Sequence, residues 1–188
     1  MNAQQYILEI NLQYSQLKEV VQCLLHSILF QRCLGTIKPK EATLDCTDFT
    51  FTKLDDQQTT KHVEEKSEEL LSSIIKRKAK TAQLSVSFYE KRQKTTFFSS
   101  TENVCWEQWI VTFQLVPTLD SQALFQQLRD TIQKIIVIVN QDKNIPPITA
   151  KDQNPFPFTI SIAGSENTGG VVDMFWNVFK PPALLGGK

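Results

Sequence analysis

Leu84-Ser85-Val86-Ser87-Phe88-Tyr89 alternates apolar and polar residues, the two-residue period of a half-buried β-strand. Residues 106–116 repeat that period, with Trp109, Val111 and Phe113 on one face. The two stretches read as strands of one sheet. Residues 90–105 between them are too many for a tight turn and read as a long loop.

Working outward, Tyr6-Ile7-Leu8-Glu9-Ile10-Asn11-Leu12 is a further alternating strand. Ser15 is placed to cap a helix in which Leu17, Val20, Val21, Leu24, Leu25, Ile28 and Leu29 recur at helical spacing, with Gly35 as its stop signal and Pro39 beyond. Residues 44–54 read as one strand, with Phe49 and Phe51 on a shared face. Residues 55–80 follow as a helix whose apolar side is Val63, Leu70, Leu71, Ile74 and Ile75. Its charges are segregated: Asp55, Asp56, Glu64, Glu65, Glu68 and Glu69 come early, and Lys76, Arg77, Lys78 and Lys80 late. That polarity complements the helix dipole, so the basic run reads as a helix C-terminus rather than a ligand patch.

Downstream, Asp120 or Ser121 caps a third helix with a core face of Leu124, Phe125, Leu128, Ile132, Ile135, Ile136 and Val139. As the most apolar helix it is expected at the centre of the fold. Pro146, Pro147, Pro155 and Pro157 make the next segment a surface loop before a strand at Phe158-Thr159-Ile160-Ser161-Ile162. Residues 171–179 read as another strand or a short helix. Residues 1–180 are expected to form a single domain, with 181–188 a flexible tail. The order predicts an α+β fold, three helices packed on a mainly antiparallel sheet.

Composition narrows the function. The 188 residues are 41% hydrophobic, enough to bury a core, and 20 basic residues balance 20 acidic ones. A neutral chain lacks the electrostatic footprint of a nucleic-acid binder. The longest apolar run, 135–139, is far short of a membrane span, and no secretory signal is visible after Met1-Asn2-Ala3-Gln4-Gln5. The expectation is a soluble intracellular protein.

Chemistry is sparse. Cys23, Cys33, Cys46 and Cys105 form no C-x-x-C pair and read as reduced packing residues, so no metal site is expected. The six glycines make neither a dinucleotide fingerprint nor a phosphate loop, and no cofactor is expected. His26 reads as a packed or edge residue and His62 as a solvated one. Cys23 and His26 stand at i, i+3 on one helix and are the one conceivable catalytic dyad, although no third group orients them. The carboxylate pairs Asp55/Asp56 and Glu64/Glu65 lie in a solvated stretch that does not raise a carboxyl pKa.

Binding chemistry is better represented. The 90–105 loop has a basic start, Lys91, Arg92 and Lys94, and then Phe97-Phe98 among Thr and Ser. Adjacent aromatics in a polar loop commonly anchor partners. On the third helix, the side opposite the core carries Gln126, Arg129, Gln133 and Val137, an apolar residue on a polar face.

Four blocks carry a resemblance. They are Leu25-His26-Ser27-Ile28-Leu29-Phe30-Gln31-Arg32, Asp45-Cys46-Thr47-Asp48-Phe49-Thr50-Phe51, Leu84-Ser85-Val86-Ser87-Phe88-Tyr89-Glu90-Lys91 and Cys105-Trp106-Glu107-Gln108-Trp109. In this order they resemble the autophagy-related protein 101 family, small HORMA-domain subunits of the autophagy-initiating kinase complex. The similarity runs from about Tyr6 to Val139. It implies a HORMA fold and a non-enzymatic adaptor that binds and stabilises the HORMA domain of autophagy-related protein 13. Helix-to-helix pairing would use Arg129, Gln133 and Val137. It also implies a cytoplasmic protein of the preautophagosomal structure, a part of the serine/threonine kinase complex. The family's Trp-Pro-Phe finger, which recruits later factors, corresponds here to Thr96-Phe97-Phe98, keeping the Phe but not the Trp or Pro. Two alternatives stand beside this reading: a HORMA protein of the mitotic checkpoint or meiotic axis binding a partner peptide, and a thiol enzyme using Cys23 and His26.

Overall fold

A computed structural model describes residues 3–32, 38–94, 100–141, 145–147 and 156–163. The elements run β1 (Gln4–Leu12), a 3-10 turn (Tyr14–Gln16), α1 (Leu17–Arg32), β2 (Pro39–Thr43), β3 (Thr50–Leu54), α2 (Gln57–Arg77), β4 (Thr81–Lys94), β5 (Ser100–Leu115), α3 (Ser121–Gln141) and β6 (Phe158–Ile162). The main sheet has the order β1-β5-β4-β6, and β2 and β3 form a separate hairpin. Among the described residues only the β1–β5 pair is parallel; β5–β4, β4–β6 and β2–β3 are antiparallel. The α+β class holds, with three helices and a mainly antiparallel sheet.

Alternation decides which face of the sheet is buried. Leu8, Ile10 and Leu12 lie beside Val111, Phe113 and Leu115, and Leu84 and Val86 beside Val111 and Trp109, so apolar side chains stack across strands on one face. The opposite face is a polar lattice. Gln5 Nε2 donates to Gln108 Oε1 at 2.8 Å, and Gln108 Nε2 to Ser87 Oγ at 3.1 Å. Gln83 Nε2 donates to Thr112 Oγ1 at 3.0 Å.

The central helix is α1, not α3. Eleven of the sixteen α1 residues are buried, from Leu17 to Arg32, because α2, α3 and β3 all pack against it. Helix α3 lies on the flank and buries only Leu124, Leu128, Thr131 and Ile135; Ile136, expected on the core face, is exposed. Apolar content itself points to α1: nine of its sixteen residues are apolar, against ten of twenty-one in α3, so α3 is not the most apolar helix as expected.

Three further expectations change. Residues 44–54 are not one strand: a connection at 44–49 joins β2 to β3. The Glu19 carboxylate of α1 accepts from the Asp45 N–H at 2.8 Å and the Cys46 N–H at 3.1 Å, holding the connection in a turn. Phe49 therefore leaves the strand and meets Phe125 of α3 edge-on at 5.4 Å. Ser15 is not the cap of α1 but lies in the 3-10 turn, where the Gln13 N–H donates to Gln16 Oε1 at 2.8 Å. Most of the expected 90–105 loop is strand, since β4 and β5 pair out to Lys94 and Ser100. Caps Asp56 and Asp120 accept from Thr59 N–H at 2.7 Å and Ala123 N–H at 2.8 Å. Gly35, Phe97, Phe98 and the readings for 171–179 and 181–188 lie outside the described residues.

Candidate interaction surfaces and the buried ion pair

Strand β1 is an edge strand, and α3 covers that edge. Gln127 accepts from the Asn11 N–H at 2.9 Å and donates to the Asn11 carbonyl at 3.3 Å. One helical stretch further on, Lys134 Nζ donates to the Ile7 carbonyl at 3.0 Å. Side-chain amides and an ammonium thus occupy backbone groups that could otherwise template another strand.

With Gln127 and Lys134 turned to β1, the other side of α3 faces outward. Arg129, Gln133 and Val137 are all exposed there, as the sequence predicted, while Gln126 is half-buried. Arg129 is tied to Asp130 at 3.0 Å. Val137 is 44% exposed and its neighbour Ile136 is 40% exposed. Ile7, whose carbonyl Lys134 reaches, is 63% exposed. The surface is a polar helix face with an apolar pair at its C-terminal half, a mixture that fits a protein partner.

The second feature lies inside. Between Phe88↔Glu107 and Tyr89↔Cys105 the β4–β5 register slips by one residue, leaving Trp106 as a bulge. The bulge turns Trp106 toward the interior, where its ring lies 4.9 Å from Phe156 and 5.3 Å from the Arg32 guanidinium. Glu107 and Trp109 then face Arg32 at the end of α1. Arg32 Nε donates to Glu107 Oε1 at 2.9 Å, and Arg32 also forms an ion pair with Oε2 through its terminal nitrogen. Trp109 Nε1 donates to Glu107 Oε1 at 2.5 Å. Both charges are buried completely, a forked pair with its lone pairs engaged.

Sequence reasoning did not pick out this pair. The signal was available: Glu107 stands between two tryptophans in an otherwise alternating strand, and Arg32 closes an apolar helix. The pair sits at the root of an arm, because β1 pairs only with residues 107–115 of β5, and β6 only with 84–88 of β4. Beyond the bulge, β4 and β5 continue as a two-stranded ribbon. Its root is held by the Tyr89 N–H, which donates to the Pro157 carbonyl at 2.8 Å.

The residues weighed for catalysis are packed instead. Burial pushes the Cys23 thiol up to about 12, and the same cause, aided by Glu19, takes Cys46 up to about 12. Burial, with Lys53 nearby, lowers the His26 imidazole to about 4. A protonated thiol beside a neutral imidazole is the opposite of an activated thiolate pair. His26 lies 6.3 Å from the Phe51 ring, and its Nδ1 is buried with no hydrogen-bond partner. His62 is not solvated: it is half-buried, with its ring 5.9 Å from Phe158. Cys105 is half-buried and Cys33 lies outside the described residues. Among the described residues, no cluster of three His, Cys, Asp or Glu could hold a metal.

With this geometry in place, the comparisons converge. The family model described as Autophagy-related protein 101 matches residues 9–152. A protein of that name from Arabidopsis thaliana is 28% identical, covering 95% of this chain and 96% of its own. The one from Schizosaccharomyces pombe is 27% identical over 81% of this chain and 83% of its own. The human one is 21% identical over 81% and 79%.

Proposed function

The chain belongs to the Autophagy-related protein 101 family, and on that premise we propose that it is a non-enzymatic HORMA adaptor of autophagy initiation. It binds and stabilises the HORMA domain of autophagy-related protein 13, as part of the initiating kinase complex at the preautophagosomal structure and in the cytoplasm. The observation that carries the reading is the outward side of α3, where Val137 and Ile136 stand exposed beside Arg129 and Gln133. The helix is anchored to β1 by Gln127 and Lys134, so that side is presented rigidly. A preformed surface binds without the entropic cost of ordering itself.

Arg129→Glu with Val137→Asp puts two charges where association must exclude water. Co-purification with the partner HORMA domain should collapse while the variant melts like the parent chain. Undiminished binding refutes the assignment. Mixing the two domains should also raise the melting temperature above that of either alone, since a ligand of the folded state stabilises it.

Phe97 and Phe98, which fall in the sequence between β4 and β5, are the proposed recruiting finger. Replacing both with alanine should leave the HORMA pair intact and impair recruitment of later factors. A loss of stability of roughly 3 kcal/mol or more would instead mean that the rings plug a core.

A further inference from the structure

The β2–β3 hairpin, which the adaptor role does not use, sets two like charges against each other. Lys40 and Lys53 are directly opposite in its antiparallel register. Side chains so placed share one face, with Cβ atoms about 5 Å apart, and like charges there destabilise the pair. The neighbouring rows are well matched. Ala42 faces Phe51, and the hydroxyls of Thr43 and Thr50 share a hydrogen bond at 3.0 Å.

No nearby carboxylate resolves the conflict. Glu41, one position on, belongs to the opposite face of the hairpin. Asp55 lies across from Lys38, with its N–H donating to the Lys38 carbonyl at 3.0 Å, so that row carries its own balance. Asp56 caps α2 through Thr59, and Glu19 is engaged by the Asp45 and Cys46 amides. Among the described residues neither Lys40 nor Lys53 has an ion pair. The group of α1 within electrostatic reach of Lys53 is His26, which is buried with its Nδ1 unpartnered. Burial, and then the Lys53 charge, lower that imidazole to about 4, so at neutral pH it adds no charge of either sign.

We propose that Lys40 and Lys53 together receive a phosphate monoester, carried on a phosphorylated side chain of a partner protein. A dianion between two ammonium groups cancels both charges and accepts charge-assisted hydrogen bonds from each. A carboxylate carries one charge and would leave the pair half satisfied. Lys40 is exposed and Lys53 half-buried, so the anion approaches from solvent. Every residue of β2 except Ala42 is exposed, so the hairpin offers an open strand surface. Such a surface suits a phosphate on a chain, whose flanking residues add contacts, better than a free ion that keeps most of its water.

The test is an NMR titration of the full chain with the capped peptide Thr-Gln-Thr-pSer-Thr-Gln-Thr and with its serine counterpart. The phosphopeptide should shift the ring signals of His26, which stands beside Lys53, and leave those of His62 on α2 in place. The serine peptide should shift neither. Lys40→Gln and Lys53→Gln should each weaken phosphopeptide binding roughly tenfold, the loss of one charge-assisted hydrogen bond. Lys80→Gln, at an exposed cation elsewhere, should leave it unchanged. Lys40→Glu should abolish binding and yet raise the melting temperature, because it turns a like-charged pair into an opposite one. No His26 shift, equal shifts with the serine peptide, or an equal loss in Lys80→Gln overturns the proposal. A lower melting temperature for Lys40→Glu overturns it too. So does inorganic phosphate that binds as tightly as the phosphopeptide, or binding to phosphatidic acid vesicles without binding to the phosphopeptide.

Discussion

Arg32→Met keeps most of the volume of the buried side chain and removes its charge. Glu107, wholly buried, would then retain only the indole N–H of Trp109 at 2.5 Å. Stranding one member of a buried pair costs about 3–5 kcal/mol, because the remaining charge has lost both water and partner. In a chain of this length that corresponds to a fall of roughly 6–20 °C in Tm. Glu107→Leu removes the carboxylate that the guanidinium pairs with and takes away the acceptor of the Trp109 N–H, and should also destabilise the fold. The double variant Arg32→Met/Glu107→Leu removes both charges of the pair. It should be more stable than the sum of the single losses implies, by more than about 2 kcal/mol. Urea unfolding followed by tryptophan fluorescence suits the measurement, since Trp106 stacks on Arg32 and Trp109 donates to Glu107. Additive single variants, or an Arg32→Met cost below about 1 kcal/mol, would refute the idea that a desolvated pair anchors the root of the arm.

Three other outcomes are expected. Burial lowers His26 to about 4, whereas the unfolded chain protonates it near 6.5. Stability is then complete above pH 6.5 and declines as the pH falls to about 4, by roughly 3 kcal/mol; His26→Leu should flatten that part of a stability–pH curve, and an unchanged slope would assign it to other groups. Alkylation resolved by peptide mapping should find Cys23 unreactive in the native chain, and Glu19→Gln should speed labelling of Cys46, because the Glu19 carboxylate raises that thiol; rapid native labelling of Cys23 would contradict its burial. Asp120→Ala removes the oxygen that accepts from Ala123 N–H and should cost about 1 kcal/mol in thermal unfolding; no change in Tm would mean that water caps α3 equally well.

The sequence by itself determined the repeating parts of this protein. Alternation located β1, the inner halves of β4 and β5, and β6; helical spacing located α1, α2 and α3; and the exposed positions of Arg129, Gln133 and Val137 followed from the same period. These are local properties, written within a few residues. The tertiary structure decided what depends on distant partners. Residues 44–49 turn rather than continue as strand because Glu19, on another element, takes two of their amides. Helix α1 is central and α3 lies on the flank because α1 has neighbours on more sides. The Trp106 bulge and the buried pair could be settled only in three dimensions. Arg32 and Glu107 are 75 residues apart, and neither charge could be buried until the fold delivered the other.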